Sequence, residues 1–301
     1  MALRPIDNDL PTTTQERPKK QPRIAVATHK QQQQQQPRTA NDENQVPSEP
    51  TVEVDYISSD NLKPMSDPEA QIQSLIEDLD SKNWVKVCES LNDVRRFALF
   101  HSSLLLPILD KILLVVVKSM KNPRSALCKT SIMAASDIFN AFGDKLFGPS
   151  ASDAFEDLLL QLLLKASQDK RFVCEEAERA LGSMVGSMTP LSLLQKLRVS
   201  VSHKNLRIRA KAAVSLSKCV SKMGSDEMEE FGMEKLIEVA ADLVNDRLPE
   251  ARDAARSIAT SVYEAIIKDV EVEEKMEVWQ SFCQSKLTPI NAISILKIVK
   301  V

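Results

Sequence analysis

Few residues in this chain have the types and spacing that reactions require. Three histidines, His29, His101 and His203, stand far apart, and no H-E-x-x-H, G-x-x-x-x-G-K-[ST] or G-x-S-x-G occurs. Adjacent carboxylates such as Glu175 and Glu176 read as a solvated helix face. The five cysteines, Cys88, Cys128, Cys174, Cys219 and Cys283, are odd in number, scattered, and never in a C-x-x-C pair. They read as small buried thiols in a reducing compartment, not as a zinc site or a disulfide frame. "GSMVG" at Gly182–Gly186 matches G-x-x-x-G only by chance, at the end of a soluble helix. An enzyme is the poorest reading, and no cofactor or metal is expected.

A different chemistry is present: cations gathered at short polar breaks. Lys82, Asn83 and Trp84 share one break, and Lys121, Asn122 and Arg124 the next. Lys170 and Arg171 follow, then His203, Lys204, Asn205 and Arg207, then Arg247 with Asp246 opposing it. The chain as a whole carries a net charge of −3 and only 4% aromatic residues, with two tryptophans. Clustered cations beside one of those tryptophans make an interface for an acidic protein surface. Alternatively, Trp84 plugs the end of the core against Leu75 or Leu79. Trp279, in "KMEVWQSF", has the spacing of a core residue.

The elements that hold these breaks are helical. From Ser66 onward apolar residues recur every three or four positions, and no long two-residue alternation appears. "SDPEAQIQSLIEDL" opens with Asp and then Pro, a helix-start signal. The breaks "DSKNW", "MKNPR", "SQDKR", "SHKNL" and "VNDRL" each precede a similar helix start. Aligned, those starts bring Cys88, Cys128, Cys174, Arg209 and Arg252 to one position, at intervals of roughly 35 to 47 residues. This is the period of HEAT and armadillo-like repeats. The fold expected is all-α: an α-solenoid of about six HEAT-like hairpins, the last near Glu271–Gln284 and Thr288–Val301. Each hairpin contacts its neighbours in such a stack, so the breaks fall in a row on one edge. Arg209 and Arg252 are expected to make inter-repeat hydrogen bonds. The apolar run "LLLPILDKILLVVV" contains Pro107, Asp110 and Lys111, so a buried helix is expected there, not a membrane span.

Residues 1–65 differ in texture. They hold more than half of the fifteen prolines and a Gln31–Gln36 run, with few large apolar residues. Such a segment buries too little apolar surface to offset its ordering entropy, so a disordered Pro/Gln-rich tail is expected, with the folded domain at 66–301. The charged residues of Arg17–Arg38 are all basic and those of Asn41–Asp60 all acidic. "RPKKQPR" is a weak basic motif, compatible with nuclear import or with contact to an anionic surface. The plainer reading is a solvated tail.

Six hairpins, a Trp opening the second helix of the first repeat, and basic breaks inside the repeats resemble a TOG domain. Such domains occur in the microtubule-polymerase, CLASP and crescerin groups of tubulin-binding proteins. "NWVKVCESLNDV" resembles the family's first turn and second helix, and "HKNLRIRAKAAVSL" and "NDRLPEARDAARSIA" its fourth and fifth. The resemblance covers about Ser66 to Val301. It implies a non-enzymatic domain whose turn-lined edge grips αβ-tubulin or microtubules, in the cytoplasm on the cytoskeleton. Trp84 would take the role of the inserted tryptophan. The polar roles would fall to Lys82, Lys121 or Arg124, Lys170 or Arg171, Lys204 with Asn205, and Arg247. A general HEAT/ARM adaptor, binding peptides on its concave helical face, is the alternative. Nucleic acid is a poor fit, because stacking platforms are missing and the repeats are not basic overall. No membrane partner is expected, and oligomeric state stays open.

Overall fold

The computed structural model describes residues 56–148 and 151–299. Among these the elements are helical, arranged as six antiparallel pairs. The first hairpin is α1 (Pro68–Leu79) and α2 (Trp84–Phe100), followed by a short α3 (Ser102–Leu105). The second is α4 (Leu109–Met120) and α5 (Ser125–Phe142), the third α6 (Ser152–Ala166) and α7 (Arg171–Ser187), and the fourth α8 (Pro190–Ser200) and α9 (Leu206–Val220). A short α10 (Ser225–Phe231) precedes the fifth hairpin, α11 (Met233–Leu243) and α12 (Pro249–Ile266). The sixth is α13 (Lys275–Lys286) and α14 (Pro289–Leu296). This is the all-α HEAT-like solenoid expected from the repeat.

Local chemistry sets where the helices begin and end. Pro68, Pro190, Pro249 and Pro289 stand at first helical positions, where the missing N–H costs nothing. The Asp67 carboxylate accepts the Ala70 N–H at 3.1 Å and caps α1. After α5 the chain turns at Gly143, whose φ of 48° is left-handed. A Cβ there would lie 2.7 Å from the Ser187 carbonyl oxygen at the end of α7, so glycine also permits the close approach of two repeats.

Packing follows the second helices. α2 lies on α5, α5 on α7, and α9 on α12, while the first helices close the other side, α4 against α6 for example. One apolar cluster runs from Leu75 to Ile295. Trp279 is fully buried at the far end, edge-on to Tyr263 at 5.4 Å and stacked on Phe282 at 5.8 Å between centroids. It is the core residue its spacing indicated.

Three local features depart from the sequence reading. The run Leu104–Val117 is not one helix: it passes from α3 through a 3-10 turn at Leu106–Ile108, where Pro107 sits, into α4. The break after α9 contains α10, which is too short to show a periodic pattern. Residues 56–65, assigned by composition to the tail, belong to the packed structure from Tyr56, and Leu62 is buried. The boundary at 65 is therefore too late by about one short segment. The rest of the expected tail lies outside the described residues. Among the described residues no helix is long and apolar enough to cross a membrane.

The two kinds of glycine environment predict opposite effects of the same substitution. Gly143→Ala should destabilise the domain by about 1–3 kcal/mol, because both the φ and the close approach oppose a side chain. Gly182→Ala, whose Cβ would meet nothing within 4 Å, should stabilise α7 by up to about 1 kcal/mol. Urea-denaturation midpoints of the two variants should move in opposite directions.

Candidate functional site

In the first, second, fourth and fifth hairpins a polar side chain in the turn accepts a backbone N–H two residues on. Asn83 accepts from Val85 at 3.0 Å, Asn122 from Arg124 at 2.9 Å, His203 from Asn205 at 3.0 Å, Asn205 from Arg207 at 3.0 Å, and Asp246 from Leu248 at 2.9 Å. These local bonds end one helix and start the next in a fixed geometry. In the third, fourth and fifth hairpins the aligned position of the second helix ties the turn down from the other side. Cys174 Sγ donates to the Ala166 carbonyl at 2.9 Å, Arg209 Nη1 to His203 O at 2.9 Å, and Arg252 Nη1 to Asp246 O at 2.9 Å. Cys174 thus does with its thiol what Arg209 and Arg252 do with a guanidinium at the same aligned position.

Side chains also link the first five hairpins turn to turn, which puts those turns on one edge. The Arg124 guanidinium lies 5.7 Å from the Trp84 ring centroid, joining the second turn to the first. Lys170 Nζ donates to Ser125 Oγ at 3.1 Å, joining the third to the second. Arg207 reaches from the fourth turn to Asp169 at 2.6 Å and to the Ser167 carbonyl at 3.3 Å in the third. Arg209 binds Asp246 of the fifth turn at 2.6 Å. Arg209 therefore makes the inter-repeat bond expected of it, whereas Arg252 bonds within its own hairpin.

The edge separates into spent and unspent charge. Lys82, Lys121, Lys204 and Arg247 are exposed, and none of their side chains makes an ion pair among the described residues. Arg171 is exposed but paired with Glu175 at 2.7 Å, one turn along its own helix. Asn205 is exposed with its Oδ1 engaged as the cap of α9. Asp246 does not offset Arg247: its side chain is 2% exposed and committed to Arg209. Burial by itself would raise the Asp246 pKa, but the Leu248 N–H and the Arg209 and Arg252 guanidiniums outweigh it and hold the carboxyl below its ordinary range.

Trp84 is packed on one side and open on the other. The ring is partly buried against the core cluster, yet it also lines a groove of about 150 Å³ with Leu79, Lys82, Lys118 and Arg124. A larger groove of about 590 Å³ opens between the second and third turns, lined by Lys121, Pro123, Lys165, Asp169 and Lys170. Phe172, at the start of α7, is 42% exposed and adds a second aromatic surface near Lys170 and Arg171. Sequence reasoning missed it. Its signal was an aromatic placed beside the third cationic break.

A stack of six hairpins with polar turns sharing one edge, opened by a tryptophan, defines a TOG-type HEAT-repeat protein. A family model described as CLASP N terminal matches residues 82–278, and the chain belongs to that family. It is 27% identical over 207 residues to the mouse (Mus musculus) TOG array regulator of axonemal microtubules protein 1, covering 68% of this chain and 11% of the relative. Against the human (Homo sapiens) protein of that name identity is 31% over 129 residues, 43% of this chain and 7% of the relative. The chain thus spans only a small fraction of those relatives. The TOG domain of C. elegans Zyg9 superposes with a TM-score of 0.57 at 15% identity, over 80% of this chain and 89% of that one. A structure solved for TOG–tubulin binding specificity gives 0.53 at 15% identity, over 80% and 90%. At that identity the likeness is one of fold.

The Asp246 network has a pH signature. Its folded pKa lies below the unfolded value of about 3.9, so the stability it adds is present at neutral pH and is lost as pH falls through about 4 and below. Asp246→Asn should cost about 1–3 kcal/mol at pH 7, and the gap to the parent should shrink at pH 3. Denaturation midpoints at the two pH values measure both quantities.

Proposed function

We propose that this chain is a non-enzymatic tubulin-binding module, acting on free tubulin or microtubules through the edge formed by its hairpin turns. The observation that carries the reading is the division of charge along that edge. Acids near the turns are ion-paired within the domain, Asp169 to Arg207 and Asp246 to Arg209, while Lys82, Lys121, Lys204 and Arg247 are exposed and make no ion pair among the described residues. Such a row attracts an acidic protein surface and steers its approach. Trp84 supplies the apolar anchor at one end, with Phe172 as a second contact. Lys170, Arg124, Arg171 and Asn205 complete the row, each held in place by a local partner. Membership of the CLASP N-terminal family, and relatives named for regulating axonemal microtubules, support the same reading. A cytoskeletal location in the cytoplasm follows from it. Nucleic acid and membrane are not proposed as partners.

Co-elution of the chain with purified αβ-tubulin on size exclusion tests the module as a whole. Trp84→Ala should weaken tubulin binding by about thirtyfold or more, the loss of about 2 kcal/mol of anchor energy. Because the ring is partly buried, that variant should also lose about 1–2 kcal/mol of stability. Trp279→Ala should lose about 3–5 kcal/mol of stability, with no loss of affinity at temperatures where it stays folded. Reversing Lys121 and Lys204 to Glu should weaken binding more at low salt than at high salt, with an unchanged melting temperature. Equal affinity of the parent and Trp84→Ala would remove the anchor from the proposal.

A further inference from the structure

The segment from Tyr56 to Leu62 lies across α2 and α5, and a buried arginine holds it. Arg95 of α2 is fully buried, and its Nε donates to Asp137 of α5 at 2.7 Å. Nη1 donates to the Ile57 carbonyl at 2.7 Å and to Asn92 Oδ1 at 3.0 Å, and Nη2 donates to Ser59 Oγ at 3.2 Å. Ser59 Oγ in turn donates to the other Asp137 oxygen at 2.7 Å. Lys129 Nζ sits 4.3 Å from the Tyr56 ring centroid, and Leu62 is buried. A buried ion pair is tolerated only when its remaining donors and acceptors are matched, and here the segment supplies part of the match. With the segment displaced, the guanidinium loses two acceptors and Asp137 loses a donor.

The same two helices carry the first two turns of the edge. Arg95 lies eleven residues along α2 from Trp84, about 16 Å, and Asp137 thirteen residues along α5 from Arg124, about 20 Å. A change of about 10° in the angle between the helices, pivoting at the ion pair, moves their N-terminal ends by about 3 Å relative to one another. That is enough to separate Arg124 from the Trp84 ring, now 5.7 Å apart.

We propose that residues 56–62 act as a brace that fixes α2 against α5 and so sets the pairing of Trp84 with Arg124, which makes Arg95, Asp137 and Ser59 positioning residues for the turn edge. The consequence for affinity rests on the tubulin reading, whereas the consequence for Trp84 does not. The N-terminal flank thereby gains control over a surface that it does not touch. Negative charge at Ser59 takes away the donor that Asp137 accepts from and leaves two anions competing for the one Arg95 guanidinium, which opens the brace.

The test uses the full chain with Trp279→Phe, which leaves Trp84 as the sole tryptophan. Two variants are compared with this parent: Ser59→Glu, and replacement of 56–62 by Gly and Ser residues of equal number. Trp84 emission, its quenching by acrylamide and tubulin affinity are read well below the melting temperature, with helicity followed by circular dichroism. Ser59→Glu should keep the parent's helicity, red-shift the emission, raise quenching about twofold and weaken tubulin binding about tenfold. The segment replacement should do at least as much. Unchanged Trp84 emission and quenching in a folded replacement variant would overturn the brace, whatever the binding data. If the replacement does not fold, an unchanged Trp84 signal in Ser59→Glu overturns it equally. Altered Trp84 signals in both variants, with no tubulin binding by the parent, would sustain the brace and sink the tubulin reading.

Discussion

Everything on the turn edge depends on how each second helix is pinned to the next. Apolar packing supplies the bulk of the attraction, but it is non-directional and tolerates sliding and rotation. Polar links between repeats remove that freedom. Arg95–Asp137 joins α2 to α5, Lys129–Glu176 joins α5 to α7, and Lys211 joins Glu178 of α7 to Glu250 of α12, both at 2.7 Å. Burial alone would depress the Lys211 pKa, yet the two carboxylates raise it, so the ammonium remains charged where it bridges three helices. Desolvation offsets most of the attraction in pairs buried to this degree, so their net energy is small. Their value here is registry between helices that share an otherwise greasy seam.

The same links explain the electrostatics of the edge. A domain with about equal numbers of acids and bases presents a cationic row only if its acids are occupied elsewhere. Carboxylates near the turns are drawn inward or sideways: Asp246 into a buried pair, Asp169 to Arg207, Glu250 to Lys211. Among the described residues, Lys82, Lys121 and Lys204 at the tips make no such pair. Net charge is therefore a poor guide to this surface, and the spatial sorting of charge is the relevant quantity.

Much of this architecture was legible in the sequence, because a repeat advertises itself. The breaks "MKNPR" and "SHKNL" carry both the turn chemistry, Asn122 and Asn205, and the cations, so hairpin register and edge composition could be read together. Other features carried no local signal. Arg95 and Asp137 stand 42 residues apart on helices whose polar residues all look solvated, and only the stack brings them together. Residues 56–65 have the composition of a linker, and their order comes from a buried arginine supplied by another element. Trp84 was ambiguous for a physical reason: a ring at a helix start is half packed and half open to a groove, and spacing cannot apportion the two.

The cysteines add a chemical consequence. Cys88, Cys128, Cys219 and Cys283 are buried, and burial pushes Cys88 up to about 11 and Cys219 and Cys283 up to about 12. At neutral pH only about one molecule in ten thousand, or fewer, carries the thiolate at any of those three sites. In the folded stack they are nearly inert toward oxidants and alkylating reagents, and they react when a repeat opens. Spread over α2, α9 and α13, they form a set of internal clocks: the rate at which each thiol is modified counts the openings of its own hairpin.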